Sequence, residues 1–154
     1  MRGYRRAHAG FTLVEVLVAL SIGMFVAGIG LIMSWDAYRG TSLRADRDLL
    51  VALLQHARAQ AIHNVCVGDE CRDGVPHGVS VTADAYILYQ GAGYAEAEEQ
   101  AAFPAAPALT RTVGTVAFAR LTGTTTGATF IIADETGRSS TVTVSTEGRI
   151  TWTN

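Results

Sequence analysis

Few residues in this chain have types and spacings that suggest chemistry. Glu15 is the only charged side chain in the 23-residue run from Phe11 to Met33, FTLVEVLVALSIGMFVAGIGLIM. An ionised acid inside a membrane-length helix costs on the order of 2.5–3.5 kcal/mol on insertion scales, so it calls for a positive partner, and the run offers no base. The two cysteines, Cys66 and Cys71, are separated by four residues. Histidines 8, 56, 63 and 77 are scattered. His56 and His63 fall on similar faces of a helix, a spacing that would suit a metal pair, but surface or partly packed imidazoles account for them more simply. Ser139, Ser140 and Ser145 lack a His–acid order resembling a nucleophile motif, and Glu98-Glu99 reads as a solvated loop cluster rather than an acid pair or a calcium site. Neither a P-loop nor a GxGxxG phosphate cradle occurs. These residues predict no enzyme, no cofactor and no metal.

The elements that position these residues begin with a basic flank. MRGYRRAHAG carries Arg2, Arg5, Arg6 and His8 and no acid. At about 1.5 Å per residue, a helix over the following apolar run spans roughly 34 Å, enough for a hydrocarbon core. The basic flank stays cytoplasmic, which places the rest of the chain across the membrane. A cleavable signal peptide has a shorter core and a small-residue site after it; here no A-x-A pattern closes the run before Trp35 and Asp36, and Arg5-Arg6 lacks a twin-arginine context. The 154 residues allow one modest domain plus an anchor. With 12 basic and 14 acidic residues, the net charge of −2 sets up no global field for nucleic acid or acidic lipid. The mean hydropathy of +0.22 comes largely from the apolar run and a Thr/Ala/Val-rich C-terminal half.

Gly10-Phe11-Thr12-Leu13-Val14-Glu15 resembles the prepilin cleavage motif of type IV pilins and type II secretion pseudopilins. The resemblance implies that a membrane prepilin peptidase cuts between Gly10 and Phe11 and that the new amine of Phe11 is methylated. It also implies that Glu15 pairs with the terminal ammonium of a neighbouring subunit during assembly, which would supply the missing positive charge. Opposite charges in an apolar bundle attract more strongly than at a wet surface, although desolvation offsets much of the gain. Glycines 23, 28 and 30 weaken the helix by up to about 1 kcal/mol each relative to Ala. They fit either local unwinding, as in related filaments, or close packing of another membrane helix.

Downstream, Leu43, Leu50, Leu54, Ala57 and Ala61 recur at helical spacing, with Leu49, Leu53 and Ile62 widening the stripe. Arg44, Asp46, Arg47, Asp48 and Arg58 occupy much of the rest, and Asp48 takes modest i−4 support from Arg44. One amphipathic helix is predicted, bending at Gly40 and ending at Asn64, with one face on a sheet and the other towards neighbouring subunits. Leu53–Ile62 is similar to the H-type minor pseudopilins and related minor pilins, as is Thr143–Ile150, where a Gly-Arg pair opens the last strand. In an oxidising compartment Cys66 and Cys71 are expected to form a disulfide, whose small loop contributes only roughly 2 kcal/mol. A metal site that recruits His63 or His77, or free thiols, are the other readings; the spacing is not that of a zinc knuckle.

Strands are predicted at Val79–Thr82, Tyr86–Tyr89, Thr112–Phe118, Ala128–Ala133, Ser140–Ser145 and Ile150–Thr153, with a loop from Gly91 to Pro107 and glycine turns at Gly137 and Gly148. The expected fold class is α+β: a long N-terminal helix packed on antiparallel β-sheet. The expected segments are a leader over 1–10, an assembly helix over 11–34, a stem helix over 35–64 and a β-rich domain over 65–154. The resemblance implies a structural subunit, partnered by other pilins or pseudopilins, the prepilin peptidase and the inner membrane. It would initiate, cap or adapt a type II secretion pseudopilus or a type IV pilus. The alternative is a DNA-binding minor pilin of natural transformation, with Arg138 and Arg149, joined by Arg111 and Arg120, on phosphates. That requires several cations gathered on one face.

Overall fold

The computed structural model describes the backbone of residues 12–66, 74–96 and 98–154, and the side chains of 12–29, 40–66, 74–95 and 101–154. The chain divides into two compact units, Met1–Tyr38 and Arg39–Asn154. The first helix, α1, covers Leu13–Ile62. Its end is set by Asn64, which adopts φ 54°, a left-handed conformation asparagine tolerates. The Asn64 amide donates to the Ala61 carbonyl at 3.2 Å and the Val65 amide to that of Gln60 at 2.9 Å, the paired closure that satisfies a helix's last carbonyls. The expected stop at Asn64 is therefore met by a defined cap.

The second unit is α+β, with α1 packed on antiparallel β-structure. β1 (His77–Val81), β2 (Ala85–Gln90), β3 (Glu98–Pro104) and β5 (Gly114–Phe118) form one four-stranded sheet in the order β3-β2-β1-β5. β4 (Leu109–Arg111), β6 (Ala128–Asp134), β7 (Ser139–Val144) and β8 (Ile150–Thr153) form a second, in the order β4-β6-β7-β8. Every pairing is antiparallel. One core joins the predicted stripe of α1 (Leu43, Leu50, Leu54, Ala57, Ala61) to Val79, Val81, Tyr86, Leu88, Val116, Phe118, Phe130, Ile132, Val142 and Val144. On β6 and β7 the buried residues alternate, as a sheet with one covered face requires. β1 is buried at every position. Gly78 is what allows this: a Cβ there would lie 2.4 Å from both the Tyr89 ring and the Val116 carbonyl oxygen.

Three sequence expectations are corrected. The predicted loop over 91–107 contains β3, paired to β2 from Gln90↔Glu98 to Ala85↔Pro104; its alanine-rich, weakly patterned sequence takes strand form because β2 offers an open edge. The strand predicted from Thr112 begins at Gly114, since Thr112 and Val113 form the corner between β4 and β5. The third concerns Asp46 and Arg47, placed among the charged positions outside the apolar stripe. They are only 5% and 8% exposed, because each finds polar partners across the core boundary.

Candidate functional site

Thr12 stands immediately before α1. Its Oγ1 accepts from the Glu15 amide at 3.2 Å, and its carbonyl accepts the first helical bond, from Val16, at 3.2 Å. Thr12 is thus the N-cap and Glu15 the third helical residue, the T-x-x-E spacing of a capping box. Sequence reasoning treated Glu15 solely as an assembly charge. Its second role, an acid at the positive end of the helix dipole, is visible in the Thr12 spacing once the helix start is known.

From Leu13 to Ile29 the side chains are exposed all round, with Leu13 at 79%, Met24 at 76% and Phe25 at 74%. The only hydroxyl in this stretch after the cap, that of Ser21, donates to the Leu17 and Val18 carbonyls at 2.8 and 3.0 Å, which removes a loose polar group. A Cβ at Gly23 or Gly28 would meet nothing within 4 Å, so no neighbour within the described chain requires glycine there. A helix apolar on every side, with no described side chain covering it, needs lipid or other chains as its surroundings. Among the described residues, no helix is long and apolar enough to cross a membrane. The apolar run of the sequence continues to Met33, whereas its described side chains end at Ile29. Gly10 and Phe11, the predicted cleavage and methylation positions, lie outside the described residues, as does the rest of the leader.

In the second unit, the stem half of α1 is braced by a buried ionic network. The Asp46 carboxylate accepts from the Tyr86 hydroxyl at 2.5 Å, from the Ala106 amide at 3.0 Å and from Arg111 Nη2 at 3.3 Å. The Asp46 and Arg111 side chains are 3% and 1% exposed. Arg111 also donates to the Ala106 carbonyl at 2.8 Å and to that of Ala83, and its guanidinium lies over the Tyr86 ring at 5.6 Å. Burial, followed by the acceptor Asp46, raises the Tyr86 pKa well above the ordinary phenol value, so the hydroxyl remains a donor. The network ties α1 to β2, to β4 and to the β3–β4 connection. A second brace joins α1 to the end of the chain. Arg47 contacts Asp48 at 2.8 Å, donates to Asn154 and lies over Trp152 at 5.9 Å. The predicted partner of Asp48, Arg44, is thereby replaced by Arg47.

Cys66 is half-buried just beyond the α1 cap, while Cys71 lies outside the described residues. Both flanks of the intervening segment are pinned. Buried His77 meets the Val65 carbonyl through Nε2 at 2.8 Å, and Arg120 donates to the Gly74 carbonyl at 3.2 Å. His56 and His63 are exposed on α1.

The candidate phosphate contacts do not gather on one face. Arg111 is spent on Asp46 and Arg120 on Gly74. Arg138 donates to Asp134 at 2.8 Å within the β6–β7 turn. Hydrogen bonds from the Thr136 hydroxyl, then Arg138, lower the Asp134 pKa from 3.8 to about 2. Of these four, Arg149 alone has no described side-chain hydrogen bond or ion pair, and it lies exposed beside a cavity lined by Gln55, Arg58, Ala59, Ile62, His63 and Ile150.

Residues 5–31 match the family model described as the prokaryotic N-terminal methylation motif. The chain carries that N-terminal motif. That motif supports a type IV pilin-like protein, a substrate of prepilin peptidase that assembles with other pilins. It also suggests membrane-anchored assembly, in keeping with the exposed apolar residues of α1. No curated protein and no solved structure matches the chain.

Proposed function

We propose that this chain is a minor pilin or pseudopilin, a structural and non-catalytic subunit that initiates, caps or adapts a type II secretion pseudopilus or a type IV pilus. Its α1 inserts once into the inner membrane and the β-rich unit lies on the periplasmic side. Prepilin peptidase cuts after Gly10 and methylates Phe11, and a Cys66–Cys71 disulfide closes the loop beyond the stem. The observation that carries this reading is the capped start of α1: within the motif, Thr12 and Glu15 set a defined helix terminus just after the expected cleavage point, followed by apolar side chains that no described side chain covers. An acid here is favoured by the helix dipole within one subunit and by a neighbour's ammonium in the assembled fibre.

The H-type assignment draws on a further point. The two segments that resemble that group meet in space: a Cβ at Gly148 would stand 2.9 Å from Arg58 Nε. Of its four arginines the DNA-uptake alternative retains Arg149, too few cations for phosphate tracking once Arg111, Arg120 and Arg138 are committed elsewhere. The test is the intact mass and N-terminal sequence of the native polypeptide. Loss of residues 1–10 with one added methyl group on Phe11 is the expected result, and a chain beginning at Met1 refutes the reading.

A further inference from the structure

The stem side chains Gln55, Arg58, Ala59, Ile62 and His63 recur at i, i+3, i+4, i+7 and i+8, so they share one strip of α1. With Arg149 and Ile150 they line a cavity of about 350 Å³. Arg58 Nε is buried and has no hydrogen-bond partner. No described residue forms a hydrogen bond or ion pair with this guanidinium. Leaving such a donor buried and unmet is costly, and truncation or reorientation would be the easy escape. The chain instead confines Arg58. Gly148, at φ 76°, brings the β7–β8 turn against its Nε, and Gly123 packs by its Cγ. Arg149, the residue after Gly148, adds a second guanidinium, and His63 a third basic group. Glu147 is the nearby acid: Ser145 and Thr146 hold its carboxylate, lowering its pKa, with a smaller effect from Arg149.

We infer that this cavity is a docking socket for an acidic side chain of a neighbouring filament subunit. The guanidinium fork of Arg58 and that of Arg149 match a carboxylate in geometry and charge. The walls of Ala59, Ile62 and Ile150 suit the methylenes of a glutamate or aspartate. A nucleic-acid strand would need a longer row of cations than this compact socket offers. The inference rests on the filament reading and names the contact by which the second unit meets its neighbour.

The test uses the full chain in cells that make its partner subunits. Arg58→Gln and Arg149→Gln are made singly and together, and a photo-crosslinking residue is placed at Ala59. Leader removal, folding by protease resistance and the fraction recovered in sheared filaments are measured, and crosslinked peptides are sequenced. Expected are normal leader removal, about a tenfold loss of the double variant from filaments, and a wild-type crosslink to an Asp- or Glu-containing segment that disappears in the double variant. The identity of the peptide separates a second copy of this chain from another pilin. Arg149 is exposed, so Arg149→Gln preserves a folded reporter even if Arg58→Gln does not, and it should lower incorporation on its own. Normal incorporation of folded Arg149→Gln, or a crosslink to a segment without an acid, overturns the socket. Binding of a single-stranded oligonucleotide by the wild-type chain at physiological salt, lost in the variants, overturns it in favour of nucleic acid. Retention of the leader by the wild-type chain removes the filament reading and the socket with it, whereas leader removal with normal variant incorporation removes the socket alone.

Discussion

The buried brace around Asp46 makes a graded prediction. Asp46→Ala removes the acceptor of three donors at once: the Tyr86 hydroxyl at 2.5 Å, the Ala106 amide at 3.0 Å and Arg111 at 3.3 Å. It leaves the Arg111 guanidinium, 1% exposed, without its counter-ion. Removing one partner of a buried pair costs about 3–5 kcal/mol, a large share of the 5–15 kcal/mol typical of a folded domain. Tyr86→Phe deletes one charge-assisted bond and leaves Asp46 its other two donors, so about 1.5–3 kcal/mol is expected. Asp46→Leu combined with Arg111→Met should lie closer to wild type than Asp46→Ala does, because two buried charges vanish together. The assay is urea unfolding of the full chain in detergent, followed by near-ultraviolet circular dichroism, with the couplings read as a double-mutant cycle. A loss below about 1 kcal/mol for Asp46→Ala, or additive effects of Asp46 and Arg111, would refute the claim that this network holds the stem to the sheets.

Glu15→Ala should leave membrane insertion and leader removal intact while filament incorporation falls, measured by fractionation of sheared cells; unchanged incorporation contradicts the charge-pairing role. Asp134→Asn should lower the urea midpoint at neutral pH. Because the folded-state pKa of Asp134 lies below its ordinary value of 3.8, at about 2, that stability is present above the unfolded value and is lost as pH falls through the folded one. The wild-type and variant midpoints should therefore converge between pH 4 and pH 2, and a constant gap would exclude the linkage. Gly148→Ala should destabilise by more than about 1 kcal/mol, since the residue sits at φ 76° and a Cβ would fall 2.0 Å from the Gly123 carbonyl oxygen. A thermal melt identical to wild type would argue against that turn geometry.

The helical stripe of Leu43, Leu50, Leu54, Ala57 and Ala61, the stop at Asn64 and the turn glycines at 137 and 148 were legible without coordinates. Each obeys a local rule: 3.6-residue periodicity, a left-handed cap, or a positive φ. The motif at Gly10-Phe11…Glu15 was legible for the same reason, as residue identity at fixed spacing. The β3 strand was not, because Glu98–Pro104 lacks β-branched residues and alternation, and only the open edge of β2 recruits it. The capping role of Thr12 was missed although Glu15 stood three residues after it.

Sequence alone determined the long helix and most of the strands, where the apolar run begins and which acid interrupts it, since those properties follow from neighbours along the chain. Tertiary structure decided the fate of the charges. Asp46, Arg58 and Arg111 look alike as polar letters between apolar ones, yet two of them neutralise each other in the core while Arg58 Nε is left buried and unpaired beside an open cavity. That difference depends on residues 40 to 90 positions away meeting in space. Electrostatic partnership between distant segments is set by how the sheets and helix pack, and no local pattern encodes it.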